Sequence, residues 1–253
     1  MNLMWNITLL VCTFYLRNNG VDAGHLRILG GAEASIEDHP WIVSILYPRI
    51  GFKCAGSLIS EDTVLTAGHC LRNPDSQPIS VVLGTADRSH PGTTIKVKEA
   101  KKHENYSLED LNLRTEKANY DIGYIKLADK VPFSDKIRPI KLPEKYNKVP
   151  LGTPLVVAGW GKTTPTGSAS TILKEAKVTA AHDDNVCTSE EKFCAGGRTL
   201  ATCSGDSGGP LELDGTLIGI VSFGYNDCID SDEPAGYANV AFFRTWIKNQ
   251  TGV

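Results

Sequence analysis

The stretch Cys203-Ser204-Gly205-Asp206-Ser207-Gly208-Gly209-Pro210 sets three glycines around one serine. Such a backbone can turn sharply and approach a ligand closely. Taken alone it is equally compatible with an ordinary glycine-rich turn. Two other segments supply its chemical context. Leu65-Thr66-Ala67-Gly68-His69-Cys70 presents a histidine, and Asn119-Tyr120-Asp121-Ile122-Gly123-Tyr124-Ile125-Lys126-Leu127 opens an apolar run with an aspartate. A serine hydroxyl is a poor nucleophile at neutral pH and needs a base within hydrogen-bond reach. Histidine suits that task because its unperturbed pKa lies near neutrality. Standing alone, His69 reads as a structural residue and Asp121 as a turn residue.

Outward from these segments, the text after residue 28 is short apolar runs divided by Gly, Pro, Asn and Asp clusters. Trp41–Tyr47, Val64–Thr66, Val81–Leu83, Ile122–Leu127, Leu155–Ala158 and Leu217–Phe223 read as strands. Many short strands at such spacing favour a sandwich or barrel over alternating strand and helix. One helix is expected, over Ala241–Gln250, where Phe242, Phe243, Trp246 and Ile247 recur at helical spacing. A linker is expected around Leu142–Pro154, where Pro143, Pro150 and Pro154 interrupt the pattern. There is no internal repeat and no low-complexity tract.

The chain has 253 residues, 41% hydrophobic and 22% charged, enough to bury a substantial core in one large all-β unit or two small ones. Its net charge is −3 with scattered basic residues, which gives no footprint for nucleic acid. The apolar run Ile7–Leu16 is too short to span a bilayer. Followed by Val21-Asp22-Ala23, it reads as a secretory signal cleaved after Ala23, although no Lys or Arg precedes it; a short buried strand is the other reading. Loss of Cys12 with that segment would leave Cys54, Cys70, Cys187, Cys194, Cys203 and Cys228, an even number suited to an oxidising compartment. Spacing alone does not choose their pairing. Zinc held by His69 and Cys70 competes weakly, because no Cys-x-x-Cys pair is present.

Together the three chemical segments resemble the trypsin/chymotrypsin family of serine proteases, and the order His, Asp, Ser is that family's rather than that of subtilisin or the α/β-hydrolases. The resemblance runs from Ile28 to about residue 250. It implies an all-β fold of two packed antiparallel six-stranded Greek-key β-barrels with a C-terminal helix. It divides the chain into a signal peptide (1–23), an activation propeptide (24–27) and a peptidase domain (28–253), with barrels at about 28–145 and 146–253. It casts Ser207 as nucleophile, His69 as base and Asp121 as the group that orients it, with the N–H groups of Gly205 and Ser207 as oxyanion hole. Ser222 matches the serine that bonds the catalytic aspartate. Arg27-Ile28-Leu29-Gly30-Gly31 resembles an activation junction, where a freed Ile28 ammonium would pair with Asp206. An arginine at the cut implies a trypsin-like activating protease. The implied protein is a secreted, monomeric zymogen without cofactor, membrane or nucleic-acid partner, acting on proteins or peptides and open to protein inhibitors. The alternative is a catalytically silent homologue serving as a binding or adaptor protein; such proteins usually lose a triad residue, and all three stand here.

The resemblance also locates the specificity pocket. Its base, six residues before the nucleophile, is Ala201, where trypsin-like members carry aspartate. With Thr202, Gly224 and Ala235 it implies a pocket for Phe, Tyr, Leu or Met, and Ser222-Phe223-Gly224 would pair with substrate backbone as an added strand. Asp230, Asp232 and Glu233 read as a solvated acidic turn, or as long-range help for a basic substrate residue. Ser107–Ala118 is longer than in short digestive members and is expected as a loop, overhanging the cleft or mobile. Family pairing joins Cys54 with Cys70, Cys187 with Cys194 and Cys203 with Cys228. Leu155 and Leu213 stand where another family disulfide would be, with an apolar contact expected in its place. Thr85 replaces a calcium ligand and Asp87 is the single carboxylate of that loop, so no structural calcium is expected. Asn105-Tyr106-Ser107 and Asn249-Gln250-Thr251 are glycosylation acceptors.

Overall fold

The computed structural model describes residues 31–71, 78, 80–90, 92–111, 115–164, 166–182, 187–197, 202–224 and 234–253, by backbone alone at 109–111 and 115–117. In chain order, β1 (Ala32–Glu33) precedes β2 (Ile42–Tyr47), β3 (Gly51–Ser60), β4 (Thr63–Thr66), β5 (Ser80–Leu83) and β6 (Thr93–Lys102). Next come β7 (Ser107–Leu111), β8 (Thr115–Asn119) and β9 (Gly123–Leu127). Residues 128–153 hold isolated bridges and no strand. The second half supplies β10 (Pro154–Gly159), β11 (Lys174–Ala181), β12 (Lys192–Ala195), β13 (Pro210–Leu213), β14 (Thr216–Phe223), β15 (Ala235–Asn239) and α1 (Val240–Thr251).

The first six-stranded barrel closes in the order β2-β3-β4-β9-β6-β5, all neighbours antiparallel. Its interior is packed by Val43, Ile45, Leu58, Val64, Leu65, Val81 and Ile125, each fully buried. The second half forms the sheet β1-β11-β10-β13-β14-β15-β12. A further β11–β12 pairing closes its last six strands into the second barrel, leaving β1 as an addition on β11. Leu155, Val157, Leu211 and Tyr237 fill that interior. The two-barrel architecture with one terminal helix is therefore the fold of this chain.

The two ends of the described chain cross over. β1, ahead of the first barrel, pairs with β11 of the second (Ala32↔Glu175, Glu33↔Lys174). In return, α1 lays Val240, Phe243 and Ile247 into the cluster that contains the first barrel's core. Those positions recur at helical spacing, so one face of α1 is apolar. Gly252 ends the helix in the left-handed conformation (φ 83°), its N–H returning to the Lys248 carbonyl at 2.9 Å.

Several strands escape a reading by apolar runs. β6 alternates half-buried Ile95 and Val97 with exposed Lys96 and Lys98, a half-buried wall rather than a hydrophobic run. The segment expected as a loop before Asp121 is instead a regular hairpin, paired from Ser107↔Asn119 to Leu111↔Thr115. Among the described residues no helix is long and apolar enough to cross a membrane.

If α1 completes the first core, Phe243→Ala should lower the free energy of unfolding by about 3–5 kcal/mol. Denaturant titration of the intact chain checks this; a loss under about 1 kcal/mol would mean that the ring is dispensable there.

Candidate active site

His69 lies on a short 3-10 turn, Gly68–Leu71, directly after β4. Asp121 lies in the two-residue link between Tyr120 and β9. Tyr120 itself has φ 51°, a left-handed conformation uncommon for an aromatic residue. Its ring is held by His103, Phe243 and Phe242 at centroid distances of 5.0, 6.0 and 6.3 Å. A local backbone cost of this kind persists where packing over-determines it. Here the packing sets where Asp121 begins.

The Asp121 carboxylate collects three hydrogen bonds from two barrels. Oδ1 accepts the His69 backbone N–H at 2.7 Å, and Oδ2 meets His69 Nδ1 at 2.8 Å. Oδ2 also accepts the Ser222 hydroxyl at 2.5 Å, from the end of β14. Burial would push this carboxyl up, but the electrostatic pull of His69 and the bonds from His69 and Ser222 outweigh it and hold it below its ordinary value. An ionised carboxylate at Oδ2 requires the proton on Nδ1, so the Nε2 lone pair faces away from Asp121. The His69 side chain is 22% exposed.

The serine loop is anchored by its backbone. The Ser207 carbonyl accepts the N–H of Ala55 on β3 (2.8 Å), while Gly208 N and Gly209 O bond Val221 on β14 (2.8 and 3.0 Å). Gly208 has φ 81°, and a Cβ there would lie 2.1 Å from Thr66 Oγ1 and 2.4 Å from the Ala55 carbonyl. Glycine alone lets the two barrels approach this closely. The loop thus lies against the segment that leads into His69. Among the described residues, the His69 ring makes no hydrogen bond to Ser207; its Nε2 lies 3.7 Å from Cys70 Sγ. Bonds of this kind often tighten only around substrate. Among the described residues, neither Gly205 N nor Ser207 N donates to a backbone carbonyl.

Asp206 is fully buried. Its Oδ1 accepts Gly161 N–H at 2.7 Å and its Oδ2 accepts Cys203 N–H at 2.9 Å. A Cβ on Gly161 would come within 2.2 Å of that carboxylate, so the pocket exists because residue 161 has no side chain. Burial pushes the carboxyl up to about 6, against the two backbone bonds. Arg27, Ile28 and Ala201 lie outside the described residues, as do Cys228, Asp230, Asp232 and Glu233.

Thr202 is buried and its carbonyl lies 3.4 Å from where a Cβ on Gly224 would stand, so these two expected pocket positions are adjacent. Ala235 is buried at the start of β15, and Phe223 pairs with its neighbour Gly236. A Cβ on Gly236 would strike the Phe223 ring at 2.2 Å, so the ring lies across that glycine. The hairpin's β8 is tied to β12 through Lys192 Nζ and Asn119 Oδ1 (2.8 Å). Disulfides join Cys54 with Cys70 and Cys187 with Cys194, and Cys203 is also disulfide-bonded. Cys54, His69 and Cys70 are close enough to suggest metal ligands, but the first disulfide removes both thiolates. Leu155 and Leu213 belong to one apolar cluster. The Asp87 carboxylate is occupied by Ser89 and His90. Asn105 and Asn249 are exposed. Three features had no sequence signal: the Gly161 and Cys203 donors to Asp206, the packing of Tyr120, and a buried His39 between Glu175 and Glu212.

The Trypsin family model matches residues 28–247. The chain is 37% identical over 237 residues to Trypsin 5G1 of Aedes aegypti, covering 90% of this chain and 86% of that one. It is 34% identical over 242 residues to a trypsin of Phaedon cochleariae, covering 90% of each. Trypsin theta of Drosophila melanogaster is 35% identical over 240 residues, with 88% and 86% covered.

In the intact chain, Asp206 should titrate near pH 6 rather than at its ordinary 3.8. A raised carboxyl favours the fold fully below its ordinary value, and that contribution is lost as pH rises through about 6. Carbon-13 NMR of labelled aspartate checks this; Asp206 titrating below 4 would mean that the two backbone bonds outweigh burial there.

Proposed function

The chain belongs to the trypsin family of serine proteases, and on that premise we propose that it is a secreted endopeptidase made as a zymogen. Residues 1–23 would be the signal, 24–27 the propeptide and 28–253 the peptidase domain. The observation that carries the catalytic reading is the bonding of Asp121. With both its oxygens engaged by His69 and Ser222, the imidazole is left with one outward acceptor, Nε2. In the reaction Nε2 takes the Ser207 hydroxyl proton as Oγ attacks the scissile carbonyl. Gly205 and Ser207 N–H groups stabilise the oxyanion, worth about 100- to 1,000-fold per donor. The imidazolium, held by Asp121, then protonates the leaving amine and leaves an acyl group on Ser207. Water repeats the sequence and frees the acid. These roles are those of the family's own Ser-His-Asp template.

Activation in this reading is electrostatic. Asp206 is a buried carboxylate held by two backbone donors and pushed up by desolvation. A buried charge is strongly stabilised by gaining a partner. Cleavage after Arg27 by a trypsin-like protease would supply the Ile28 ammonium and order the loop that carries Gly205 and Ser207. Several relatives bear the name trypsin, yet this chain has Ala201 where the resemblance puts the pocket's charged base. With Thr202, Gly224 and Ala235 around it, cleavage after Phe, Tyr, Leu or Met is the favoured specificity. The preference should be graded, since one methylene discriminates by about 1–3 kcal/mol. Proteins or peptides are the substrates, and protein inhibitors are the natural partners of such a cleft.

Cleaved wild-type chain should react with an active-site serine reagent, whereas Ser207→Ala and uncut Arg27→Gln should not. Absence of labelling in the cleaved wild type would instead favour the silent-homologue reading. On peptidyl anilides, Phe, Leu and Met should exceed Arg by at least about tenfold in kcat/KM. Arg as the best substrate would overturn the pocket reading while leaving the catalytic one in place.

A further inference from the structure

His39 sits in the segment between β1 and β2 and is 3% exposed. Its Nδ1 meets Glu212 Oε1 of β13 at 2.6 Å, and its Nε2 meets Glu175 Oε2 of β11 at 2.7 Å. Both ring nitrogens therefore face a carboxylate. A neutral imidazole has one N–H, so it would set a lone pair against an anionic oxygen at one of these contacts. The arrangement needs a second proton, giving an imidazolium or a carboxylic acid. The clasp thus holds its grip only while that proton is bound.

We propose that His39 is a positioning residue for activation, a proton-dependent clasp that fixes the segment behind the new N-terminus on the second barrel and releases it as pH rises. The placement supports the role. Just ahead of His39, β1 is paired to β11 at Ala32↔Glu175, and Ala34 N bonds the Leu173 carbonyl at 3.1 Å. Lys174, the next register position, pairs with Gly159, and Gly161 two residues on donates to Asp206. The track on which the segment is held therefore ends beside the Asp206 pocket. Ile28 lies four residues before Ala32, about 14 Å of extended chain. Fixing Ala32–Ala34 in advance reduces the freedom the terminus must lose on insertion.

The surroundings fix the direction of the pH effect. The charged group facing His39 from β11 is Glu175, and from β13 it is Glu212; β10 between them contributes Val156 and Ala158. Its own segment offers the edge of Trp41 at 6.2 Å. Lys174 is engaged with Glu33, and Glu37 with Ser35 and Lys136. Burial would lower His39, but the two glutamates outweigh it and raise it; burial likewise raises Glu212. Both groups hold protons more firmly folded than unfolded. The histidine's contribution is complete below its ordinary 6.5 and is lost as pH rises through the folded value. That of Glu212 is complete below its ordinary 4.5 and fades in the same direction.

The proposal rests on the activation reading above, and one experiment separates the two. Wild type, Glu175→Gln and His39→Phe are each cut to completion after Arg27, and the fraction labelled by a fluorophosphonate is followed from pH 6 to 10. In Glu175→Gln the amide donates to the unprotonated nitrogen, so the alkaline loss of labelling should move up by about one pH unit. His39→Phe should label about tenfold less at neutral pH. Profiles of both variants that overlay the wild type would overturn the clasp and leave the activation reading standing. If His39→Phe does not fold, the Glu175→Gln profile decides alone: shifted upward it supports the clasp, unshifted it overturns it. Wild type that never labels would overturn the activation reading and the clasp with it.

Discussion

A carboxylate almost sealed from water sits where the two barrels meet, and much of the architecture serves its needs. Asp121 would be costly to bury alone. It is tolerated because His69 from the first barrel gives two donors and Ser222 from the second gives one. Each of those donors stands on a rigid element: the 3-10 turn after β4 and the end of β14. The barrels must therefore dock in one relative position, and the close passage of Gly208 against Thr66 and Ala55 belongs to that position.

Asp206 shows the other regime. It is buried as completely, but its donors are two neutral backbone groups, and its carboxyl moves up where that of Asp121 moves down. One carboxylate has an ionisable hydrogen-bond partner, the His69 imidazole, built in. The other is kept in a site that a cation would stabilise. Two aspartates on one chain thus differ through their partners rather than their depth.

Much of this was legible in the residues. The strings around His69, Asp121 and Ser207 are local, and it was their resemblance to the trypsin/chymotrypsin family that implied the two-barrel fold, whereas strand spacing alone reached only a sandwich or barrel. Strands with apolar runs, such as β2 and β14, were equally visible. β6 was not, because its outward lysines break the run. The hairpin of β7 and β8 was not, because charged residues hid its pairing behind the look of a loop. His39, Glu175 and Glu212 are far apart in sequence, and nothing local marks a histidine as buried between glutamates. Long-range partners escape local patterns for the same reason that they hold distant elements together.

The exchange of chain ends has a consequence for how this protein comes into being. The first barrel's core includes Phe243 and Ile247, which are made after every strand of both barrels, while β1, made before the other strands, waits for β11. A nascent chain stopped just before α1 has every strand of both barrels but lacks the helix face that completes the first core. The two halves look like a duplicated pair of modules, yet neither can be lifted out and inherited separately. Evolution can retune the loops between the strands, but it must carry the two barrels forward as one indivisible unit.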